Sequence, residues 1–272
     1  MKQRILSGAI LVLFFVAVIV FNRSFPLALT IAVALISAVA VMELIKALGV
    51  TRKWFLAGPS LIAAAIPFCN HDMEFLVYAL FTLVVFSAMI VYHEETTFKE
   101  VGVLYSMVIL IPSALQTLVS LRDLSQDHGM FYVFIAVLSA WAADVGAYFA
   151  GTFFGKHKLC PTISPKKTVE GAVGGVVVDV LVMLLCGVLF SQAFYQGQVQ
   201  VNYLELLIIG LFGSVLSILG DLSFSIIKRS CHIKDFGQVI PGHGGILDRF
   251  DSVIFTAPFV YLLVGFLPLV GA

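Results

Sequence analysis

Asp221, Ser225, Lys228, Arg229, Lys234, Asp235, His243, Asp248, Arg249 and Asp251 all fall within residues 220–252, and no other stretch of the chain mixes acids, bases and glycines so densely. Carboxylates hold divalent cations, and lysine or arginine holds phosphate, so the combination suits a polyanion and its counter-ion. Asp221, Ser225 and Lys228 are spaced i, i+4, i+7 and share one face of a helix. Asp248 and Asp251, three apart, project to one side if a helix begins near 247. Asp251 precedes Ser252, and either carboxylate could instead cap that helix. Pro241-Gly242-His243-Gly244-Gly245 reads as a tight turn whose successive N–H groups can cradle an anion, with His243 as a further donor. A magnesium site takes one or two protein carboxylates and leaves its other positions to water and phosphate oxygens; Asp221 with Asp248 meets that count.

A second group lies upstream. Trp141, Asp144 and Tyr148 are spaced i, i+3, i+7 in an apolar helix. The loop after it carries Lys156, His157 and Lys158, then Ser164-Pro165-Lys166-Lys167-Thr168. Basic residues flanked by hydroxyls suit phosphate or an anionic head group, although a positive loop at a membrane surface would account for Lys156 and Lys158. Asp144 and Asp221 each sit inside an apolar block, where a carboxylate costs about 2.5–3.5 kcal/mol near a bilayer centre. Such a cost calls for a polar cavity, a partner cation or a metal. Asp179 and Glu205 lack a neighbouring basic cluster and read as structural. Gly171, Gly174, Gly175, Gly210 and Gly213 read as helix-packing positions.

The elements that carry these residues are helices. The chain has 272 residues, 60% of them hydrophobic and only 12% charged. The apolar residues come in blocks near the roughly 20 residues that cross a bilayer, which predicts an all-α, polytopic membrane protein. About nine spans are expected, near 1–21, 25–47, 55–69, 74–92, 102–121, 131–153, 171–195, 202–227 and 252–270. The third is interrupted by Pro59 and Pro67. The first has too long an apolar core for a cleaved signal peptide and no small-residue cleavage site. With nine spans and the N-terminus inside, every Lys and Arg of the 16 except Arg23 and Arg122 falls on the inner side, which puts both polar loops on the cytoplasmic face. Formal net charge is zero, which gives no sign of a nucleic-acid partner. Cys69, Cys160, Cys186 and Cys231 form no CxxC pair and read as free thiols. No linker or repeat is evident, so residues 1–272 read as a single membrane domain. Residues 1–125 would be scaffold and lipid-facing helices, and 131–272 would carry the site.

Ser225, Lys228-Arg229, Lys234-Asp235, Gly237, Pro241, His243-Gly244-Gly245, Asp248-Arg249 and Asp251 together resemble the pattern of the phosphatidate cytidylyltransferases, or CDP-diacylglycerol synthases. The run from Trp141 through Asp144, Ala147-Tyr148 and Gly151 to Ser164-Pro165-Lys166-Lys167-Thr168 and Glu170-Gly171 resembles that family as well. Thr152 stands where members often carry a basic residue, and Phe236 where a small one is common. The resemblance is close over the C-terminal half; the first hundred or so residues match as generic spans.

The resemblance implies condensation of CTP with phosphatidate to CDP-diacylglycerol and pyrophosphate, with Mg²⁺ alone or with a second cation. It implies roles for Asp144, Asp221, Lys228, Arg229, Asp248, Arg249 and Asp251 in the reaction, with Asp221 and Asp248 on the metal. Ser164, Lys166, Lys167, Thr168, Ser225, Lys234, His243, Gly244 and Gly245 would bind substrate. It further implies a homodimer in a bacterial inner membrane. Two other readings compete: a dolichol-kinase-like enzyme that transfers the γ-phosphoryl group of CTP, and an ion-coupled transporter using Asp144, Asp179 and Asp221. The CDP-alcohol phosphotransferase motif is absent from the sequence.

Overall fold

The computed structural model describes residues 2–240 and 244–271. Helices dominate, as they must where no water is present to satisfy backbone groups. In chain order they are α1 (Lys2–Asn22), α2 (Leu27–Ala47), α3 (Trp54–Ala63), α4 (His71–Val91), α5 (Phe98–Asp123), α6 (Gly129–Phe154), α7 (Val169–Leu189), α8 (Tyr203–Ser230), α9 (Leu247–Phe250) and α10 (Val253–Phe266). A hairpin of β1 (Lys158–Cys160) and β2 (Ser164–Thr168) joins α6 to α7, and β3 (Gln200–Val201) pairs with β4 (Val270–Gly271).

Among the described residues, seven stretches are long and apolar enough to cross a bilayer, the last of them Leu247–Phe266. This is the helical, integral membrane architecture expected, with seven of the nine expected spans recovered among the described residues. The expected third span is where sequence and structure differ most. Pro59 lies inside the ten-residue α3, and Pro67 lies in a 3₁₀ turn over Ile66–Phe68, so the segment divides into two short pieces. Proline removes a backbone donor and crowds the preceding turn, which accounts for the break before Pro67. In α1, Leu13–Asn22 forms a shorter apolar helix among the residues described.

The chain forms two compact units. One comprises Met1–Val119 with Ser230–Phe250, the other Ser120–Arg229 with Asp251–Ala272. The segment Ser230–Phe250 groups with the N-terminal helices rather than with the C-terminal ones.

Within the second unit, α6 and α7 are in close contact because their facing residues are small. A Cβ on Gly171 would lie 2.8 Å from the Ala147 carbonyl oxygen, and one on Gly175 would lie 2.8 Å from that of Ala143. A side chain at either position would force the helices apart, so these are packing glycines. Gly210 plays the same part for α8, since a Cβ there would lie 2.6 Å from Val180 Cα. Asp179, fully buried in α7, accepts a hydrogen bond from Ser139 of α6 at 2.8 Å. This gives the carboxyl a role in joining helices.

The hairpin between α6 and α7 is pinned from below. Glu170, in the first turn of α7, accepts N–H groups of Lys156 and His157 at 3.0 and 3.1 Å, and its other oxygen meets His157 Nδ1 at 2.6 Å. Glu170→Ala removes every one of these bonds. We expect trypsin to cut after Lys156 or Lys158 roughly several-fold faster in that variant, because local opening governs cleavage of exposed loops. Unchanged cleavage on a denaturing gel would show that the hairpin is held by other means.

Candidate active site

The second unit gathers three carboxylates, two lysines and two serines. Asp144 of α6 accepts from Ser217 of α8 at 3.2 Å and from the Ser252 hydroxyl at the start of α10 at 3.1 Å. The Ser252 hydroxyl is also 3.2 Å from the Ser217 carbonyl, so one small network joins three helices. Asp221, one turn beyond Ser217, forms an ion pair with Lys167 of β2. Asp251 is 4% exposed and accepts the Ser252 N–H at 2.8 Å. It lies within electrostatic reach of Asp144, Asp221 and Lys228, and Lys228 is itself 8% exposed. Three acids repel one another here, and Lys167 and Lys228 offset that repulsion.

The sequence spacing explains this convergence. Asp221, Ser225 and Lys228 share the inward face of α8, where Ser225 is also buried. Gly220 allows α10 to approach: a Cβ there would lie 2.6 Å from the Asp251 carbonyl oxygen. Between α6, the hairpin and α7 opens a cleft of about 270 Å³, lined among others by Asp144, Tyr148, Thr152, Lys166 and Lys167. It has an acidic floor, a wall with two lysines and an aromatic edge at the exposed Tyr148. Ser164 is half-buried in β2, and Arg229 lies exposed with its Nε 3.5 Å from the Ile163 carbonyl.

Thr168 also lines this cleft, and its hydroxyl has a structural task as well. It accepts the Gly171 N–H at 3.1 Å as the N-cap of α7. Capping is the usual use of threonine before a helix, and it leaves the hydroxyl's own proton to donate into the cleft.

The first unit holds Lys234, Gly244, Gly245, Asp248 and Arg249; His243 lies outside the described residues. Asp248 Oδ2 accepts the N–H groups of Phe236 at 2.8 Å and Gly245 at 2.9 Å, so this carboxylate closes its own loop. Gly244 takes φ +86°, and a Cβ there would lie 2.9 Å from Asp248 Oδ2. Glycine is needed on both counts. The N–H groups of Ile246 and Leu247 go to Glu43 of α2. The turn is therefore no open anion cradle at 245–247, since carboxylates already take those three donors. Among the described residues, Arg249 Nε is buried without a hydrogen-bond partner.

Whether these residues suit a metal can be judged from their donors. Asp144, Asp221, Asp251, Ser217 and Ser252 offer oxygen only, the donor type that hard cations such as Mg²⁺ prefer. Among the described residues, no three His, Cys, Asp or Glu side chains come together to hold a metal ion on their own. A cation here would complete its shell with water and phosphate oxygens, as magnesium commonly does. The four cysteines are free, as their spacing suggested.

Three participants were not singled out in the sequence: Ser217, Ser252 as a ligand of Asp144, and Glu43. Ser217 lies one turn before Asp221 on the same face, a signal that was readable. Glu43 gave another, a lone acid in an apolar span.

Comparison with known proteins points to one family. The model of the Cytidylyltransferase family matches residues 2–267. A protein named phosphatidate cytidylyltransferase from Bacillus subtilis (strain 168) is 36% identical over 275 residues, covering 97% of each chain. Proteins of the same name from Staphylococcus haemolyticus and Staphylococcus saprophyticus are 41% and 43% identical over 140 and 142 residues, about half of each chain.

Proposed function

The chain belongs to the cytidylyltransferase family, and on that premise we infer that it is a membrane phosphatidate cytidylyltransferase, joining CTP to phosphatidate with release of pyrophosphate. The observation that carries the reading is the meeting of Asp144, Asp221 and Asp251 with Lys167 and Lys228 beside a lysine-lined cleft.

The chemistry asks for such a site. The second ionisation of a phosphate monoester lies near pH 6, so the phosphatidate phosphate is already largely dianionic at neutral pH. No general base is needed. One of its oxygens forms a bond to the α-phosphorus of CTP while the bond from that phosphorus to the bridging oxygen breaks, and pyrophosphate leaves with the electron pair. The obstacle is repulsion between two anions, so catalysis rests on positioning and on fixed positive charge. Lys166 and Lys167 on the cleft wall are assigned to the lipid phosphate. Lys228, Arg229, Lys234 and Arg249 are assigned to the triphosphate, with the orphaned Arg249 Nε as a donor for it. Asp221 and Asp248 are our candidates for cation ligands, and Asp144 orients the serines beside Asp221. Bound Mg²⁺ would neutralise phosphate charge that develops on the leaving pyrophosphate. The cytoplasmic side of a bacterial inner membrane is the location we propose, from the distribution of lysine and arginine, and a homodimer is the assembly we propose from the resemblance.

Purified protein with phosphatidate, Mg²⁺ and CTP labelled at the α-phosphate tests the reading. Label should appear in the lipid, with one pyrophosphate per labelled lipid. Transfer only from γ-labelled CTP would identify a lipid kinase instead, and substrate uptake into sealed vesicles without product would identify a transporter.

A further inference from the structure

Glu43 stands in α2 among Ala40, Val41, Leu44 and Ile45, all buried, and is itself 2% exposed. Its two oxygens act separately. Oε1 accepts the Ile246 N–H at 3.0 Å, and Oε2 accepts the Leu247 N–H at 2.8 Å. Leu247 opens α9, whose next residues are Asp248 and Arg249. Both arms of the loop leave room for this carboxylate: a Cβ on Gly237 would lie 2.8 Å from Glu43 Cδ, and one on Gly245 2.6 Å. Asp248 grips the same loop through Phe236 and Gly245. Two carboxylates thus hold three successive N–H groups, Gly245 to Leu247, and set the direction in which α9 leaves the turn.

We propose that Glu43 is a positioning residue for the reaction: it fixes the turn 244–247 and the start of α9 in the one arrangement that presents Asp248 and Arg249 to the triphosphate end of CTP, without touching substrate itself. A carboxylate is required because two backbone donors need two acceptor oxygens. Glutamine keeps the length but sets an NH₂ group against an N–H, which breaks one of the two bonds. The kinetic side of this inference rests on the cytidylyltransferase reading; the structural side does not.

The test compares the wild type and Glu43→Gln in detergent or lipid nanodiscs. Hydrogen exchange followed by mass spectrometry should show faster exchange in the peptide spanning 245–248 and no change in peptides of α6 and α7. The KM for CTP should rise about ten-fold, the effect of losing one charge-assisted hydrogen bond, while the KM for phosphatidate stays within about two-fold. Gly245→Ala, which crowds Glu43 from the other side, should reproduce the CTP effect in the wild-type background. It should add little in a Glu43→Ala background, where the carboxylate it would strike is gone, the signature of coupled sites. Should Glu43→Gln fail to accumulate, Gly245→Ala carries both measurements.

Wild-type exchange at 245–248 would overturn the proposal. So would a loss that falls equally on both substrates, or one confined to the amount of folded protein. If the wild type itself forms no nucleotide-linked lipid, the cytidylyltransferase reading fails, and the exchange experiment still decides whether Glu43 orders the loop.

Discussion

Asp221→Asn is expected to lower kcat by about 100-fold or more, since loss of even an outer partner of a metal ligand commonly costs 10–100-fold. Two effects combine. The amide is a weaker cation ligand than the carboxylate, and Lys167 loses the partner that places its ammonium on the cleft wall. The two can be separated by titrating Mg²⁺. If Asp221 holds the cation, the half-saturating Mg²⁺ concentration rises in Asp221→Asn and stays near wild type in Lys167→Gln. If Asp221 serves only as the partner of Lys167, both variants lose activity alike and neither shifts the Mg²⁺ titration. Asp248→Asn is the companion variant. Because Asp248 Oδ2 also accepts two backbone N–H groups, its Mg²⁺ titration needs hydrogen exchange of the loop beside it. Near-normal Mg²⁺-dependent activity in folded Asp221→Asn and Asp248→Asn would remove both from the metal assignment.

Lys228→Met should act first on stability. Lys228 is 8% exposed and acts electrostatically on Asp251, which is 4% exposed and lies within electrostatic reach of Asp144 and Asp221. Removing a buried positive charge that offsets such acids leaves them less compensated and is destabilising. The thermal midpoint in detergent should therefore fall clearly, and turnover should be lost as well. The double variant Lys228→Met/Asp251→Asn tests the cause. Deleting one of the three acids relieves the imbalance, so the midpoint should recover a good part of the loss while activity does not return. A midpoint unaffected by Lys228→Met would mean that this lysine does not balance the acids, and that its place in the cluster is incidental to folding.

Much of this site could be read from local spacing. Asp221, Ser225 and Lys228 fall on one helix face because their separations match the helical period. Asp144 and Asp221 were conspicuous as acids in apolar blocks, and both turn out to have partners: Ser217 and Ser252 for the first, Lys167 for the second. Roles that depend on long-range packing were harder to see. Glu43 and Leu247 are 204 residues apart, and no local pattern joins them. The cost argument applied to Asp144 would have flagged Glu43 too, as an acid within a span that must find donors. Thr168 and Gly245 have structural tasks that the sequence did not show, for a related reason. Hydroxyls and glycines serve caps and turns as readily as they serve phosphates, and only coordinates show which groups already occupy their donors and acceptors. The prolines behaved differently from one another: Pro59 is carried inside α3, while Pro67 opens a separate turn after it, dividing a hydrophobic segment that composition alone would count as a span.

The bond between Ser139 and Asp179 bears on how the protein is made. An acid in the middle of α7 opposes entry of that helix into the lipid by itself, by about 2.5–3.5 kcal/mol on the translocon scale. Its hydroxyl partner lies on the preceding helix, and the short β1–β2 turn brings the two together. Biogenesis should then favour release of α6 and α7 from the translocon as one preassembled pair, with the acid shielded before lipid ever surrounds it.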